Sequence, residues 1–288
     1  MSPEEALAFE ARWRVRVAAV TAVAVVLIFA GGIASAVAQS DLKVDELTTV
    51  LLFYHRHDSS LLLAAVIGGL GSIAMLAPLL YLYRATKARR PELPGVAQIT
   101  AWVGPIAAGV GQIAVQAVLL DKAHTFASSG AQTYAQAKHL TDAGIIKALQ
   151  GLALAGALSL GFAFVLISLN AMRVGLLTRF MGVLGIISGV LFVIPIGGSL
   201  QVVQPFWLGA LTVLFLGRWP SGMPEAWRTG EAKPWPTQQE MREAREKGLA
   251  ARKGEAAPEP EPEPAAATAG ARGSAHPSSK KRKRKRRR

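Results

Sequence analysis

Long apolar runs fill most of residues 145–219 and restrict this chain to very few folds. The runs are rich in Leu, Ile, Val, Ala and Gly, and the turn that divides the first from the second carries only two charges, Arg173 and Arg179. At about 1.5 Å rise per residue, a helix of roughly 20 apolar residues crosses the hydrocarbon core of a bilayer. The stretch therefore predicts a transmembrane hairpin with a short basic turn.

Similar runs precede this hairpin, and together they predict an all-α, polytopic membrane domain over residues 1–219. The last run is long enough to cross a membrane only if residues 199–205 are included, with a bend at Pro205. Tyr81 and Tyr83 are expected in an aromatic belt at one membrane interface, and Trp207 near the other. The six predicted transmembrane helices cover residues 17–38, 61–83, 96–120, 145–171, 180–196 and 199–219.

The first run has a second interpretation as a cleaved signal peptide. Ala36 and Ala38 form the small-residue pattern of a cleavage site. However, the uncharged run at residues 17–38 is longer than the usual 7–15 apolar residues of a signal, and three glutamates precede it. We therefore favour a retained helix, with cleavage as the alternative.

The distribution of Lys and Arg predicts the orientation of the helices. Basic residues are concentrated in alternate loops, and the loops on the opposite side hold fewer of them. The positive-inside rule then places both termini in the cytoplasm, with the chain in the cell (plasma) membrane. The basic residues that we treat as topology anchors are Arg84, Lys87, Arg89, Arg90, Arg173 and Arg179.

The two longer loops on the opposite side contain four histidines and one candidate surface helix. Within residues 40–59, apolar residues recur at intervals of three or four, which predicts a short amphipathic helix on the membrane surface. The histidines do not have the spacing of a recognised metal-binding motif, so we predict no metal site. These histidines are His55, His57, His124 and His139.

The composition changes after residue 219, and most of the formal net charge of +13 lies there. A capping box at Thr237 and Glu240 predicts a short helix within a cytoplasmic segment, residues 220–253. Alternating Pro and Glu within residues 254–288 predict an extended linker, followed by a self-repelling and therefore disordered polybasic block. The block consists of Lys280, Lys281, Arg282, Lys283, Arg284, Lys285, Arg286, Arg287 and Arg288.

The polybasic block predicts a polyanionic partner. Each Lys or Arg near an anionic membrane contributes about 1 kcal/mol to its attraction, and a tail tethered beside the bilayer meets lipid head groups first. Nucleic acid would attract the same charges through counterion release. No aromatic residue follows Trp235, so such binding would be independent of base sequence.

The apolar runs lack the residues that most membrane chemistry requires. Their central parts contain no Asp, Glu, His, Lys or Arg, although ion-coupled transporters and proton relays use such groups near the midplane. The chain has no cysteine, and no catalytic or nucleotide-binding motif occurs in it. We therefore predict a non-enzymatic integral membrane protein without a cofactor, whose tail binds anionic lipid or another polyanion.

Gln98, Gln112 and Gln116 share one face of the predicted third helix. They either line a polar path for a small neutral solute or link helices through hydrogen bonds, each contributing about 0.6–2 kcal/mol. We favour the interhelical link, because glutamine commonly has this role. A permease or channel for a small neutral solute is the alternative function.

Small residues at intervals of three and four mark the predicted fourth and fifth helices. Such positions let two helix backbones approach closely, either within one chain or between two copies. We favour packing within the chain, and the sequence leaves the oligomeric state open. The glycines concerned are Gly151, Gly156, Gly182, Gly185 and Gly189.

Residues 171–190 read AMRVGLLTRFMGVLGIISGV. This segment resembles a broad group of bacterial six-helix integral membrane proteins of uncharacterised function, in which a Gly-Leu-Leu turn ending in a basic residue precedes a Gly-rich fifth helix. Residues 217–220 (GRWP) and 234–236 (PWP) resemble the close of such proteins. The similarity covers mainly residues 145–236. It implies a six-span membrane domain and brings no catalytic residues.

Overall fold

The computed structural model describes residues 2–42, 46–194, 202–220, 222–236 and 238–255, and all secondary structure in these ranges is α-helical. The predicted all-α class is thereby confirmed. The predicted helix limits at 196 and 199, the capping residue Thr237 and the polybasic block lie outside the described residues. The helices are α1 (Pro3–Ala38), α2 (Leu47–Arg56), α3 (Asp58–Ala74), α4 (Leu76–Arg89), α5 (Gly95–Ser128), α6 (Tyr134–Thr141), α7 (Gly144–Arg173), α8 (Arg179–Val193), α9 (Val203–Phe215), α10 (Glu225–Thr229) and α11 (Gln238–Glu255).

Four of the described helical segments are long and apolar enough to cross a membrane. They are α1, the α3–α4 pair (Asp58–Arg89), α5 and α7, and they cover the first four predicted runs. Over the fifth and sixth runs lie α8 and α9, which are apolar but shorter. Between the first two spans, α2 occupies the place of the predicted surface helix.

The second span is interrupted at Met75, where α3 ends and α4 begins. Pro78 lacks the N–H group that would bond to the carbonyl of Ala74 in a continuous helix, which explains the break. At the break, the N–H of Met75 bonds to the carbonyl of Ser72, three residues earlier, at 3.2 Å. The interruption leaves the side chain of Met75 in the protein interior.

Glycines let the long helices pack at very short backbone distances, with α5 between α3 and α7. A Cβ atom added to Gly104 of α5 would lie 2.5 Å from the backbone nitrogen of Leu160 in α7. Gly156 of α7 lies equally close to the backbone of α5, whereas Gly151 has no atom within 4 Å of its Cβ position. Gly182, Gly185 and Gly189 of α8 also face α7. These contacts lie within one chain.

The outer surface of the long helices carries many large apolar side chains. Val26 and Val37 of α1 are 65% and 68% exposed, and Ile99, Leu154 and Phe162 have comparable exposure. An extended apolar surface of this kind is unfavourable in water and typical of helices that face lipid.

Three aromatic residues that were expected at membrane interfaces are buried instead. Tyr81, Tyr83 and Trp207 are at most 4% exposed, so the prediction of an interfacial belt is wrong for them. Two of them have hydrogen-bond partners inside the protein: the hydroxyl of Tyr81 donates to the carbonyl of Glu10, and the indole N–H of Trp207 donates to that of Met181. An aromatic side chain whose polar atom is satisfied internally packs well in a core.

The chain divides into two compact units, residues 1–235 and 236–288. The second unit contains α11, a polar helix of 18 residues over most of the predicted short cytoplasmic helix. Its described side chains, including Arg242 and Glu243, are exposed. The sites considered below lie in the first unit.

Candidate functional site

A cavity of about 550 Å³ lies between α1, α3, α5, α7, α8 and α9. Small and apolar residues form most of its wall, and none of the described residues that line it is charged. The polar side chains in the wall are Ser35, Ser72, Gln112 and Gln204. This size and this mixture of many apolar groups with few polar ones are typical of binding sites for small molecules.

Gln204, in the first turn of α9, is the most unusual residue in this wall. It is 2% exposed, and neither amide atom of its side chain has a hydrogen-bond partner in the described protein. Leaving such a buried group unpaired costs about 1–3 kcal/mol. A buried amide without a protein partner at a cavity wall therefore points to a ligand or water that supplies the missing hydrogen bonds.

Gln112 reaches the cavity from α5 because two glycines make room for its amide group. A Cβ atom on Gly68 of α3 would lie 3.2 Å from Nε2 of Gln112, and a Cβ on Gly31 of α1 would lie 2.7 Å from Cα of Gly68. Both glycines line the cavity. The close contact of α1, α3 and α5 thus presents the amide group of Gln112, an exposed residue, to the open cavity.

The structure separates the three glutamines that the sequence placed on one face. Gln112 lines the cavity, Gln116 is half-buried one turn further along α5, and Gln98 is exposed beside Arg84 and Lys87. Within the described chain, none of the three forms a hydrogen bond to another helix. The sequence does not single out Gln204, which is one of two amides, with Gln201, in the last apolar run.

Five of the six predicted topology anchors lie exposed or half-buried at one end of the bundle, but Arg89 is buried there. Its side chain forms an ion pair with Glu10 and donates to the carbonyl oxygens of Ala85 and Ala226. The guanidinium group also lies above the ring of Trp227, at 5.6 Å. Arg89 therefore joins α1, α4 and the segment after α9. We call this end, where α1 begins and α4 ends, the basic end.

A C-terminal strap, residues 222–235, crosses the basic end. The indole N–H groups of Trp227 and Trp235 donate to the carbonyl oxygens of Leu176 and Leu177, both at 2.8 Å. These carbonyls belong to the turn between α7 and α8, so the strap connects that turn with α1 and α4. The solute-sized cavity lies away from the strap, among the last turns of α1 and α8.

At the opposite end, the structure brings two of the four loop histidines together. Nδ1 of His55 in α2 lies 3.3 Å from Nδ1 of His124 in α5; His124 is exposed and His55 is half-buried. This contact is a hydrogen bond when one ring donates and the other accepts. The described residues contain no group of three or more side chains arranged to hold a metal ion.

Comparison of the chain with protein-family models, curated proteins and solved structures finds no match. The resemblance of residues 171–190 to bacterial six-helix membrane proteins therefore stays a prediction.

Proposed function

We propose that this chain is an integral membrane protein that binds a small, uncharged, hydrogen-bonding solute in the cavity and acts as a permease or channel for it. The observation that carries the proposal is Gln204, a buried amide in the cavity wall with no hydrogen-bond partner among the residues that the structure describes. The unpaired donors and acceptor of this amide can form hydrogen bonds with a polar solute, in a cavity whose wall is mostly apolar.

The membrane placement is supported by the four long apolar helices and by the apolar side chains on their outer surface. In this proposal α8 and α9 provide a fifth and a sixth crossing, and both termini are cytoplasmic. The basic end carries Arg84, Lys87 and Arg90 from α4 and its C-cap, together with Arg173 and Arg179. The positive-inside rule places such an end in the cytoplasm.

The composition of the cavity wall supports a neutral solute. Transfer of an ion into a wall without charged groups carries a large desolvation cost, whereas amides and hydroxyls both donate and accept hydrogen bonds. The wall includes the end of α1 around Ser35 and the end of α8 at Val193. With the basic end in the cytoplasm, these helix ends place the cavity in the outer half of the membrane.

The proposal can be tested by solute entry into proteoliposomes that contain the full chain. Light scattering after a hyperosmotic step follows the entry of glycerol, urea or xylitol, with sodium gluconate as the charged comparison. We expect the wild-type protein to accelerate entry of at least one neutral probe. Gln204→Leu and Gln112→Leu should reduce entry to the rate of protein-free liposomes.

Gln98→Leu is the matched control, because Gln98 lies on the same helix as Gln112 but outside the cavity wall. It should keep the wild-type rate. Equal rates for wild type and Gln204→Leu would contradict the proposal. So would entry of gluconate at the rate of the neutral probes, or protein-independent entry of all three neutral probes.

We also propose that the polybasic block at residues 280–288 binds anionic lipid, in a protein that needs no enzymatic activity or cofactor. The supporting observation is the uninterrupted run of nine basic residues in the sequence, next to a membrane domain. Deleting the block should weaken co-sedimentation with anionic liposomes, and more so at low salt. Unchanged co-sedimentation would contradict this role, and retention by RNA alone would favour nucleic acid as the partner.

A further inference from the structure

A groove of about 220 Å³ lies between α1 and α4 near the basic end. Its apolar wall consists of Val17 and Val20 from α1 and Ala77 and Leu80 from α4. Val20 is 39% exposed, so the groove is open to the surroundings of the helices. Its shape and lining suit one flexible hydrocarbon chain.

Three aromatic residues, Phe9, Trp13 and Tyr81, and two arginines, Arg16 and Arg84, also line this groove. The guanidinium carbon of Arg16 lies 5.5 Å from the ring centre of Trp13, and that of Arg84 lies 5.7 Å from the ring of Phe9. Cation–π contacts of this kind hold a guanidinium in place without neutralising it.

Neither arginine has a carboxylate partner within the part of the chain that the structure describes. Glu10, the acidic residue of this stretch of α1, is paired with Arg89 instead. The groove therefore combines an apolar wall with two positive charges that lack a protein counterion. An anion is the complementary ligand.

The two arginines mark the boundary of the apolar surface. Arg16 directly precedes the apolar run of α1, and Arg84 directly follows the apolar run that ends in α4. A second pocket of about 570 Å³ adjoins the groove at Phe9 and Arg84 and is also lined by Lys87 and Gln98. It offers polar groups and space for a head group beside the phosphate.

We propose that this groove binds one anionic phospholipid, with its phosphate between Arg16 and Arg84 and one acyl chain along Val17, Val20 and Leu80. Bidentate hydrogen bonding suits arginine to phosphate, and the apolar wall suits the chain. A soluble phosphate would not contact that apolar wall. The inference rests on the proposed membrane placement, but it does not depend on the solute cavity.

The test uses the full chain in a neutral detergent and native mass spectrometry, which resolves a single bound lipid. Phosphatidylglycerol is titrated, with phosphatidylcholine and glycerol 3-phosphate as comparisons. Each of Arg16→Gln and Arg84→Gln should weaken phosphatidylglycerol binding about fivefold, the factor expected from one cation near a phosphate. Arg173→Gln, an exposed residue outside the groove, removes the same charge and should leave the affinity unchanged.

Ala77→Phe adds the second arm, because it fills the groove and leaves both arginines in place. It should weaken binding of the long-chain lipid without affecting glycerol 3-phosphate. Equal affinity in Arg16→Gln, Arg84→Gln and Arg173→Gln would overturn the proposal, as would equal binding of phosphatidylcholine. If glycerol 3-phosphate displaced phosphatidylglycerol with the same affinity as the lipid itself, the groove would be a site for a free phosphate and not for a lipid. The two proposals can be told apart. If the protein does not accelerate solute entry in the proteoliposome assay but still binds the lipid, the solute proposal is wrong and the lipid site stands.

Discussion

At the level of single residues, the ion pair of Glu10 and Arg89 is a buried polar contact between α1 and α4. Both side chains are almost completely buried, and the arginine also holds two backbone carbonyls and the face of Trp227. Removing water from two charges is costly, and their attraction together with these extra hydrogen bonds offsets that cost. The pair thus fixes the relative positions of three segments. Its net contribution to the free energy of unfolding is less important than this positioning.

Glu10→Gln should therefore destabilise the protein strongly, because it leaves the Arg89 guanidinium buried without its counterion. The expected loss in the free energy of unfolding is about 3–5 kcal/mol. Thermal or denaturant unfolding in detergent measures it. The double change Glu10→Leu with Arg89→Met should recover most of this loss. A small effect of Glu10→Gln, comparable to that of Glu4→Gln at an exposed position, would contradict the account of the pair.

Substitution of Gln204 should change the free energy of unfolding in the opposite direction. In the absence of solute, Gln204→Leu removes a buried amide that has no partner, so the free energy of unfolding should rise by about 1–3 kcal/mol. Gln98→Leu, at an exposed site, should change it little. A protein that is destabilised by Gln204→Leu would show that the amide is satisfied in the native state, and the case for a polar guest would fail.

The sequence reveals only part of this residue-level chemistry. Gln112 is recognisable as a polar residue on an apolar helix, and the structure places it at the cavity. The burial of Arg89 is not recognisable, because it depends on Glu10 and on Ala226, which lie 79 and 137 residues away. Tyr81 is misread for the same reason: its hydrogen-bond partner comes from another helix.

At the level of helices, contact between α5 and α7 depends on glycine. Gly156 and Gly151 lie on α7 five residues apart, yet only Gly156 is pressed against the backbone of α5, at Ala107 and Ala108. A backbone neighbour cannot rotate away as a side chain can. The two positions therefore form a matched pair for testing close helix packing.

Gly156→Ala should destabilise the bundle by about 1–3 kcal/mol through overpacking, because the new methyl group would force α5 and α7 apart. Gly151→Ala meets nothing within 4 Å and should be neutral or stabilising by up to about 1 kcal/mol, since alanine favours the helix. Unfolding in detergent compares the two variants. Equal effects would show that α5 and α7 are not in close contact at Gly156.

Helices of this length are well predicted from hydropathy, because each long apolar run has to be buried from water over its whole length. The first four predicted runs coincide with helical segments that are long enough to span. The limits of α8 and α9 are less predictable. Trp207 of α9 donates to Met181 in the first turn of α8, a pairing set by side-chain packing that no local pattern of apolar residues encodes.

At the level of the whole molecule, the two ends of the bundle differ in structure. The basic end is held by Arg89 and by the C-terminal strap, whereas the cavity occupies the other half, among the ends of α1 and α8. In the function proposed above, the solute enters from the side that holds the cavity. Which side this is depends on the orientation of the bundle in the membrane, and charge counting supplies that orientation from sequence alone.

Labelling of single cysteines in intact cells tests this orientation most directly, because the chain has no cysteine of its own. Ala131 and Glu225 are exposed at opposite ends and suit substitution. Gly175 does not, because its φ is +80° and a Cβ atom would meet the carbonyl of Lys233. With a membrane-impermeant maleimide, Ala131→Cys should be labelled in intact cells and Glu225→Cys only after permeabilisation. Labelling of Glu225→Cys from outside, with Ala131→Cys protected, would contradict the cytoplasmic basic end and the outward cavity.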